Sequence, residues 1–435
     1  MDWGVPVMIW FYRIIFIPLL VLASPYYIWR MLRRGGYSSG FSQRFGLFPA
    51  LPSKSSGLRR IWIQAVSVGE IEAIGPLLQG LKASGQTEVV LTTTTSTGYR
   101  IAQDKYKDLC IGIGFFPLDF WPCSRLAWSR IAPDKIILAE GELWPEHLHQ
   151  AKKRQIPAYL INARLSDKSF ARHQKFKSIT RNLLKEFSWI GAGSEEDALR
   201  LKTICGNGNQ IEVTGNLKFD VSADGPLSTS DKNSLRSQLG FGNSPASVVL
   251  LGSSTWEGEE AVLLKALKNL RDTGVDARLL LVPRHAERRD SVLKLLENSG
   301  LTYHQRSVKG PQAPEGTIIH FGDTTGELRQ LTRAADLAFT GKSLPPHDGG
   351  QTPIECAAAG VPVIYGPNMT NFKSICQGLE KNGAAIKCAD ADEVLKEILS
   401  LSRDRNSLAK KSSAGAAWHK SNQGATERTL KKLLS

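Results

Sequence analysis

A chain of 435 residues exceeds what one hydrophobic core ordinarily organises, so two domains are expected. An apolar share of 42% with a charged share of 22% excludes a disordered chain and a wholly membrane-embedded one. The formal charge of +14 calls for a polyanionic partner. The basic residues are dispersed along the chain instead of gathered in one arm, which argues against nucleic acid as that partner.

The first predicted element is apolar and aromatic, from Val5 to Trp29, interrupted by Arg13 and by Pro6, Pro18 and Pro25. The basic cluster Arg30, Arg33 and Arg34 follows this run instead of preceding it. That order argues for a retained anchor, not a signal peptide, and keeps the remaining chain cytoplasmic. At ~1.5 Å per residue the segment is long enough to span a bilayer. Arg13 would snorkel near an interface and be costly near the midplane, so spanning the bilayer and lying in its interface both stay open. The basic, glycine-rich stretch from Arg33 to Gly57 reads as a juxtamembrane connector.

A βα rhythm then begins. Apolar or β-branched runs at 61–66, 88–94, 135–139, 157–161 and 211–214 alternate with helix-like stretches, the pattern of a parallel sheet. Residues 221–247 turn polar and rich in Ser, Asp, Gly and Asn, which marks a boundary. The rhythm restarts at 247–251, 277–282, 317–320, 336–340 and 361–365. The expected divisions are an anchor and basic flank at 1–34, a first domain at 35–225, a linker at 226–245, a second domain at 246–410, and a C-terminal helix at 411–435. Six cysteines (Cys110, Cys123, Cys205, Cys356, Cys376 and Cys388) form no CxxC pair, and no HExxH occurs among eight histidines. Reduced thiols, no cofactor and no metal site are expected.

Ligands of such sheets bind beyond the carboxyl ends of the strands, and the chemistry of this sequence is densest there. Ser67-x-x-Glu70, with Gly69 between, is a capping box after the first strand. The same carboxylate beside a helix N-terminus would be held ionised and fit to act as a general base. Leu91 to Gly98, with Thr95 and Ser96, brings hydroxyls and free N–H groups to a second strand end, either as a cap or as an anion or sugar site. Glu140-Gly-Glu142 follows a third. In the second half, Ser253, Ser254 and Trp256 follow one strand, and Arg284 and His285 another. Arg284 has the forked donors that suit phosphate. Thr340 to Glu355 is a Gly-rich loop entering a helix. The N–H groups of Gly349, Gly350 and Gln351 would converge on an anion there, with Glu355 one turn in, near ribose hydroxyls. The loop lacks GxxxxGK[ST], so ATP hydrolysis is not implied.

Taken in order, these motifs resemble the 3-deoxy-D-manno-octulosonic acid (Kdo) transferases of lipopolysaccharide synthesis. The likeness runs through Arg44-Phe-Gly46, Ala65 to Glu70, Glu140 to Pro145, Asn162 to Ser166 and Gly215 to Asp220. It continues through Glu257 to Glu260, Pro283 to His285, Gly349-Gly350, Pro353 to Glu355, Gly366-Pro367 and Asn371-Phe372. The resemblance implies the α/β GT-B architecture, two Rossmann-like domains with a deep cleft between them. It implies inverting transfer of Kdo from CMP-Kdo to a phosphorylated lipid A precursor on the cytoplasmic face of a bacterial inner membrane, whose anionic surface would attract the basic chain. Glu70 matches the general base. Ser67, Gly69, Thr95, Ser96, Glu140, Glu142 and Arg164 fall to the acceptor side. Ser253, Ser254, Arg284, His285, Gly341, Ser343, Gly349, Gly350, Gln351, Glu355 and Asn371 fall to the donor side, with Lys218 near the leaving phosphate. The C-terminal helix would cross back onto the first domain.

The chain departs from the family pattern at several places. Gln64 and Trp256 stand where His is usual, and Gly141 where Thr is common. Gly341-Lys342-Ser343 replaces Gly-Gly-Ser, and Gln351-Thr352-Pro353 replaces His-Asn-Pro. Two alternatives follow: a GT-B lipid glycosyltransferase with another nucleotide-sugar donor, or a silent, membrane-anchored binding scaffold. Oligomeric state is not read from the sequence.

Overall fold

Seven short apolar segments of the first half pair as strands: β1 (Arg59–Gln64), β2 (Thr87–Thr93), β3 (Gly112–Phe115), β4 (Lys135–Ala139), β5 (Ala158–Ala163), β6 (Trp189–Ala192) and β7 (Ile211–Val213). They form one sheet in the order β3-β2-β1-β4-β5-β6-β7, with every pair parallel. The structure is a computed structural model that describes residues 5–34, 40–206, 210–221, 225–242, 244 and 246–435. The side chains of the basic flank Arg30, Arg33 and Arg34, connector positions 35–39, and parts of the polar boundary (222–224, 243 and 245) lie outside the described residues.

Alternation along each strand divides the core into two layers. Trp62, Val90, Ile136, Leu138 and Leu160 belong to one buried cluster. Their neighbours Ile61, Ile63, Val89, Leu91, Ile137 and Ile161 belong to the other. Burial on both faces is why these strands read as continuous apolar runs. Arg60 and Glu88 are register partners within the sheet, and their side chains meet at 2.6 Å, both buried.

The second sheet contains β8 (Val248–Thr255), β9 (Ala277–Pro283), β10 (Tyr303–Gln305), β11 (Ile319–Phe321), β12 (Leu337–Thr340), β13 (Val363–Tyr365) and β14 (Ala385–Lys387). Its order is β10-β11-β9-β8-β12-β13-β14, again all parallel. Each sheet reverses direction beside its first strand, at β1/β4 and at β8/β12, which are the switch points where such folds bind ligands.

The chain divides into Met1–Val221 with Gln423–Ser435, and Ser222–Asn422. The stretch 226–245, read above as a linker, contains helix Thr229–Gln238 of the second unit. Lys232 and Arg236 fix that helix to Asp336, at 3.0 and 2.6 Å. Helix Arg405–Ser421 also stays with the second unit, and only Ala425–Leu434 packs on the first. Asp220 accepts from the N–H groups of Gly424 and Thr426, and Leu430 lies against Gly80, where any side chain would collide with it.

The connector is structured where it is described. Helical turn Phe41–Phe45 packs on helix Trp121–Ile131, and Gln43 Oε1 accepts the Phe115 N–H at 2.8 Å. The N-terminal run forms helix Val5–Arg34. Among the described residues it is the one helix long and apolar enough to cross a membrane.

Candidate active site

Because β1 and β4 are adjacent at the switch point, the loops that follow them are brought together. Ser67 caps helix Val68–Ala73, so Glu70 lies in the first turn beyond β1. Its two oxygens are engaged: Oε1 accepts from the Ser67 hydroxyl and Oε2 from the Val66 N–H, both at 2.8 Å. The capping interaction is real, and it holds Glu70 buried behind exposed Gly69, where an added Cβ would meet nothing. The carboxylate is nonetheless chemically unusual. Burial, then the negative charge of Glu140, raise its pKa above the ordinary carboxylate value, against the lowering effect of the Val66 and Ser67 hydrogen bonds and of Lys218.

The β4 loop supplies the other acids. Glu140, with φ +58°, has Lys218 Nζ at 2.7 Å on Oε1 and Asn162 Nδ2 at 3.4 Å. Lys218, expected near the leaving phosphate, balances a carboxylate of the first unit in this structure. Glu142 is pushed up to about 7, first by burial and then by Glu70 and Glu140. Three carboxylates thus share a strand-end site with one lysine, and one of them is near half-protonated at neutral pH.

The remaining acceptor-side residues surround this cluster in part. Thr95 caps helix Ser96–Tyr106 through the Gly98 N–H and donates to the Val66 carbonyl, which ties the β2 loop to the Glu70 loop. Arg164, Glu140 and Gly141 line a cavity otherwise bounded mainly by apolar side chains such as Leu143, Leu165 and Leu201. Gln64 is fully buried: it accepts from Thr92 and donates to Thr94, so this departure from the family pattern is internal.

In the second unit the organising residue is one the sequence reading quoted but did not single out. Buried Glu259 accepts from four backbone N–H groups, Trp256 after β8 and Lys342, Ser343 and Leu344 after β12, at 2.8–3.2 Å. It pulls the two switch-point loops together so closely that a side chain at Gly341 would meet the Ser254 carbonyl. Ser343 is wholly buried, donating to the Thr340 carbonyl and accepting from Gly366 N–H. It holds the loop, and its hydroxyl is not offered to a ligand. The Gly350 N–H also differs from expectation, since it donates to the Lys342 carbonyl. Gly349 and Gly350, with φ +102° and +69°, are required because Asn371 and Met369 press on them. The helix they precede is only Ile354–Ala358, five residues long, with Glu355 in its first turn.

The opening in this unit lies one strand over. Ser254, Arg284, His285, Arg289, Asp323 and Gly326 are among the residues lining a pocket of about 110 Å³. Arg284 is exposed at its edge. Asp323 is held by Arg289, Gln305 and Ser307, which keep its pKa below the usual value despite burial. The segment Asp323-Thr-Thr-Gly326 was legible as a hydroxyl-rich strand end after β11, and was missed. Trp256 packs edge-on to His285 at 5.0 Å, and Lys342 Nζ lies 4.9 Å from its ring centre. Two departures from the family pattern are therefore in contact.

Residues 39–221 match the family described as 3-deoxy-D-manno-octulosonic-acid transferase (kdotransferase). The chain is 33% identical to the 3-deoxy-D-manno-octulosonic acid transferase of Bordetella pertussis, covering 94% of each. It is 31% identical to that of Haemophilus influenzae, covering 95% of this chain and 93% of that one. Among solved structures it is similar to Anabaena HepE in complex with UDP-glucose, at 17% identity and TM-score 0.56, covering 86% of this chain and 99% of that one. The last likeness bears on the fold alone and agrees with the two-domain GT-B arrangement of sheets.

Proposed function

The chain belongs to the 3-deoxy-D-manno-octulosonic acid transferase family and is a glycosyltransferase, and from that premise we propose that it transfers Kdo from CMP-Kdo to a phosphorylated lipid A precursor, with Glu70 as the general base. In this reading an acceptor hydroxyl oxygen attacks the anomeric carbon as the bond to the CMP phosphate oxygen breaks. The bonding pair leaves with CMP, the hydroxyl proton passes to Glu70, and configuration inverts. Arg284 meets the charge of the departing phosphate, and Ser254 and His285 border the same pocket.

The observation that carries the assignment is the carboxylate cluster at the β1/β4 switch point. A base must hold its proton once taken, and burial beside Glu140 raises the proton affinity of Glu70 for that purpose. Kdo transfer from freshly generated CMP-Kdo to tetra-acylated lipid A precursor, native chain against Glu70→Gln, tests both substrates and base. A loss of roughly 100- to 10,000-fold in kcat is expected for the variant. Full activity in Glu70→Gln returns that residue to capping alone. Inactivity of a folded native chain that binds CMP points to another donor or to a silent scaffold.

Glu142 supports a second assignment of the base within the same reaction, because its pKa of about 7 is matched to neutral pH. A deeper loss in Glu142→Gln than in Glu70→Gln selects it.

A further inference from the structure

The N-terminal helix is gripped by the first unit along its opening turns. Arg13 makes a bidentate ion pair with Glu146, Nε to Oε2 at 2.8 Å and Nη2 to Oε1 at 2.9 Å, and the Glu146 side chain is wholly buried. Tyr12 donates its hydroxyl to Asp119 at 2.7 Å, and Asp119 also receives the N–H groups of Glu146 and His147. Ile9 is buried, and Phe16 stacks on Phe120 at 5.3 Å with the rings nearly parallel. The other end of the helix, Arg34, is separated from Gly40, again part of the described first unit, by six peptide steps.

These two attachments decide the topology. If the helix crossed the bilayer with Arg34 on the same side as the folded unit, Arg13 would lie 21 residues away along it, about 32 Å. Glu146 and Asp119 would then have to sit across the membrane from the rest of their own unit. If instead the Arg13 end were on the same side as the unit, the chain would have to return from Arg34 to Gly40 through a core of ~30 Å. Six fully extended residues reach only about 20 Å. Neither crossing fits.

We propose that helix Val5–Arg34 lies in the plane of the membrane interface as a monotopic anchor, keyed to the first unit by Arg13–Glu146 and Tyr12–Asp119. Trp10, Ile14, Ile17, Val21, Ile28 and Leu32 fall on one stripe by their 3.6-residue spacing, Phe11, Leu19, Leu22 and Tyr26 face other sides, and all are more than half exposed, so lipid contact extends around much of the helix. Trp121, 43% exposed, extends this apolar surface on the protein side, with Arg13 over its ring at 5.7 Å. The partner is the acyl–headgroup boundary of a bilayer, into which such a stripe sinks ~5–10 Å. The key sits just beyond the loop of the acidic cluster: Glu146, in the first turn of helix Pro145–Lys153, follows Glu142 by four residues. The anchor therefore sets the height and tilt of that site over the lipid surface. The topology rests on contacts and chain reach alone, so it stands or falls apart from the choice of donor and base.

The test uses the full chain in vesicles of phosphatidylethanolamine and phosphatidylglycerol, with nitroxide labels introduced through Ile14→Cys, Val21→Cys and Leu32→Cys in a Cys110→Ser background. Collision with oxygen and with an aqueous nickel chelate reads the depth of each label. An in-plane helix places all three at one shallow depth, within about 5 Å. A profile with Val21 near the midplane and the other two near opposite faces overturns the proposal. A second measurement needs no label: the melting temperatures of Arg13→Met, Glu146→Gln and the double variant in detergent. Coupling across the key makes the double variant lose less than the sum of the singles. Additive losses overturn the key.

Discussion

At the scale of single residues, the acceptor-side site is a problem of three negative charges and one positive. Lys218 neutralises Glu140 directly, so Glu70 and Glu142 face each other with only partial relief. The folded pKa of Glu142, about 7, lies above the ordinary carboxylate value of 4.5, so the folded state holds a proton that the unfolded chain has released between those values. Stability is therefore full below about pH 4.5 and declines as pH rises toward 7. Because Glu142 is partly exposed, screening reduces the effect to about 1–2 kcal/mol. Glu142→Gln is expected to abolish that decline, and to melt higher than the native chain at pH 8 but not at pH 4. Thermal unfolding across that range checks it. The capping box at Ser67 was fully legible in sequence, because it depends on residues three apart. The coupling of Glu70 to Glu140 was not, because seventy residues separate the two and only the parallel β1–β4 pairing brings them together.

At the scale of elements, buried Glu259 does for the second unit what the capping box does for the first. A single carboxylate satisfies four N–H groups drawn from two loops. Glu259→Ala leaves them buried and unpaired, at a cost of about 3 kcal/mol or more. It should lower the melting temperature of the second unit and weaken CMP binding, while the first unit melts as before. Unchanged CMP affinity would separate the clamp from the ligand pocket. Four strands escaped the sequence reading for related reasons. β3 contains Gly112 and Gly114, small because Leu51, Phe48 and Gln43 press on them, and their lack of side chains hides the apolar pattern. β6, β10 and β14 are three or four residues long, and Gly191, the His304-Gln305 pair and Lys387 interrupt their apolar runs.

Over the whole molecule, the chain leaves its first unit after Val221 and returns to it at Gln423. The returning helix is part of that unit's structure. Lys135 Nζ donates to the Leu433 carbonyl, Arg428 Nε to the Thr214 carbonyl, and Lys432 pairs with Glu212. Truncation after Asn422 removes these contacts and uncovers Gly80 and buried Lys135. The first unit should then melt several degrees lower, by differential scanning calorimetry, with the second unit's transition in place. Equal melting of both forms would show the helix to be dispensable.

The sequence by itself determined the local chemistry and the order of parts: the alternation of strands and helices, the polar break near residue 221, the apolar N-terminal run, and the motifs that resemble one transferase family. These are properties of neighbouring residues, or of ordered short motifs. Tertiary structure decided whatever depends on distant groups meeting. It gave Lys218 to Glu140, closed Ser343 and the Gly350 N–H into the loop, and buried Gln64. It also joined Arg13, a costly charge when viewed in an apolar helix alone, to a buried glutamate 133 residues away. A charge's worth depends on its partner and its solvent, and only the folded chain supplies both.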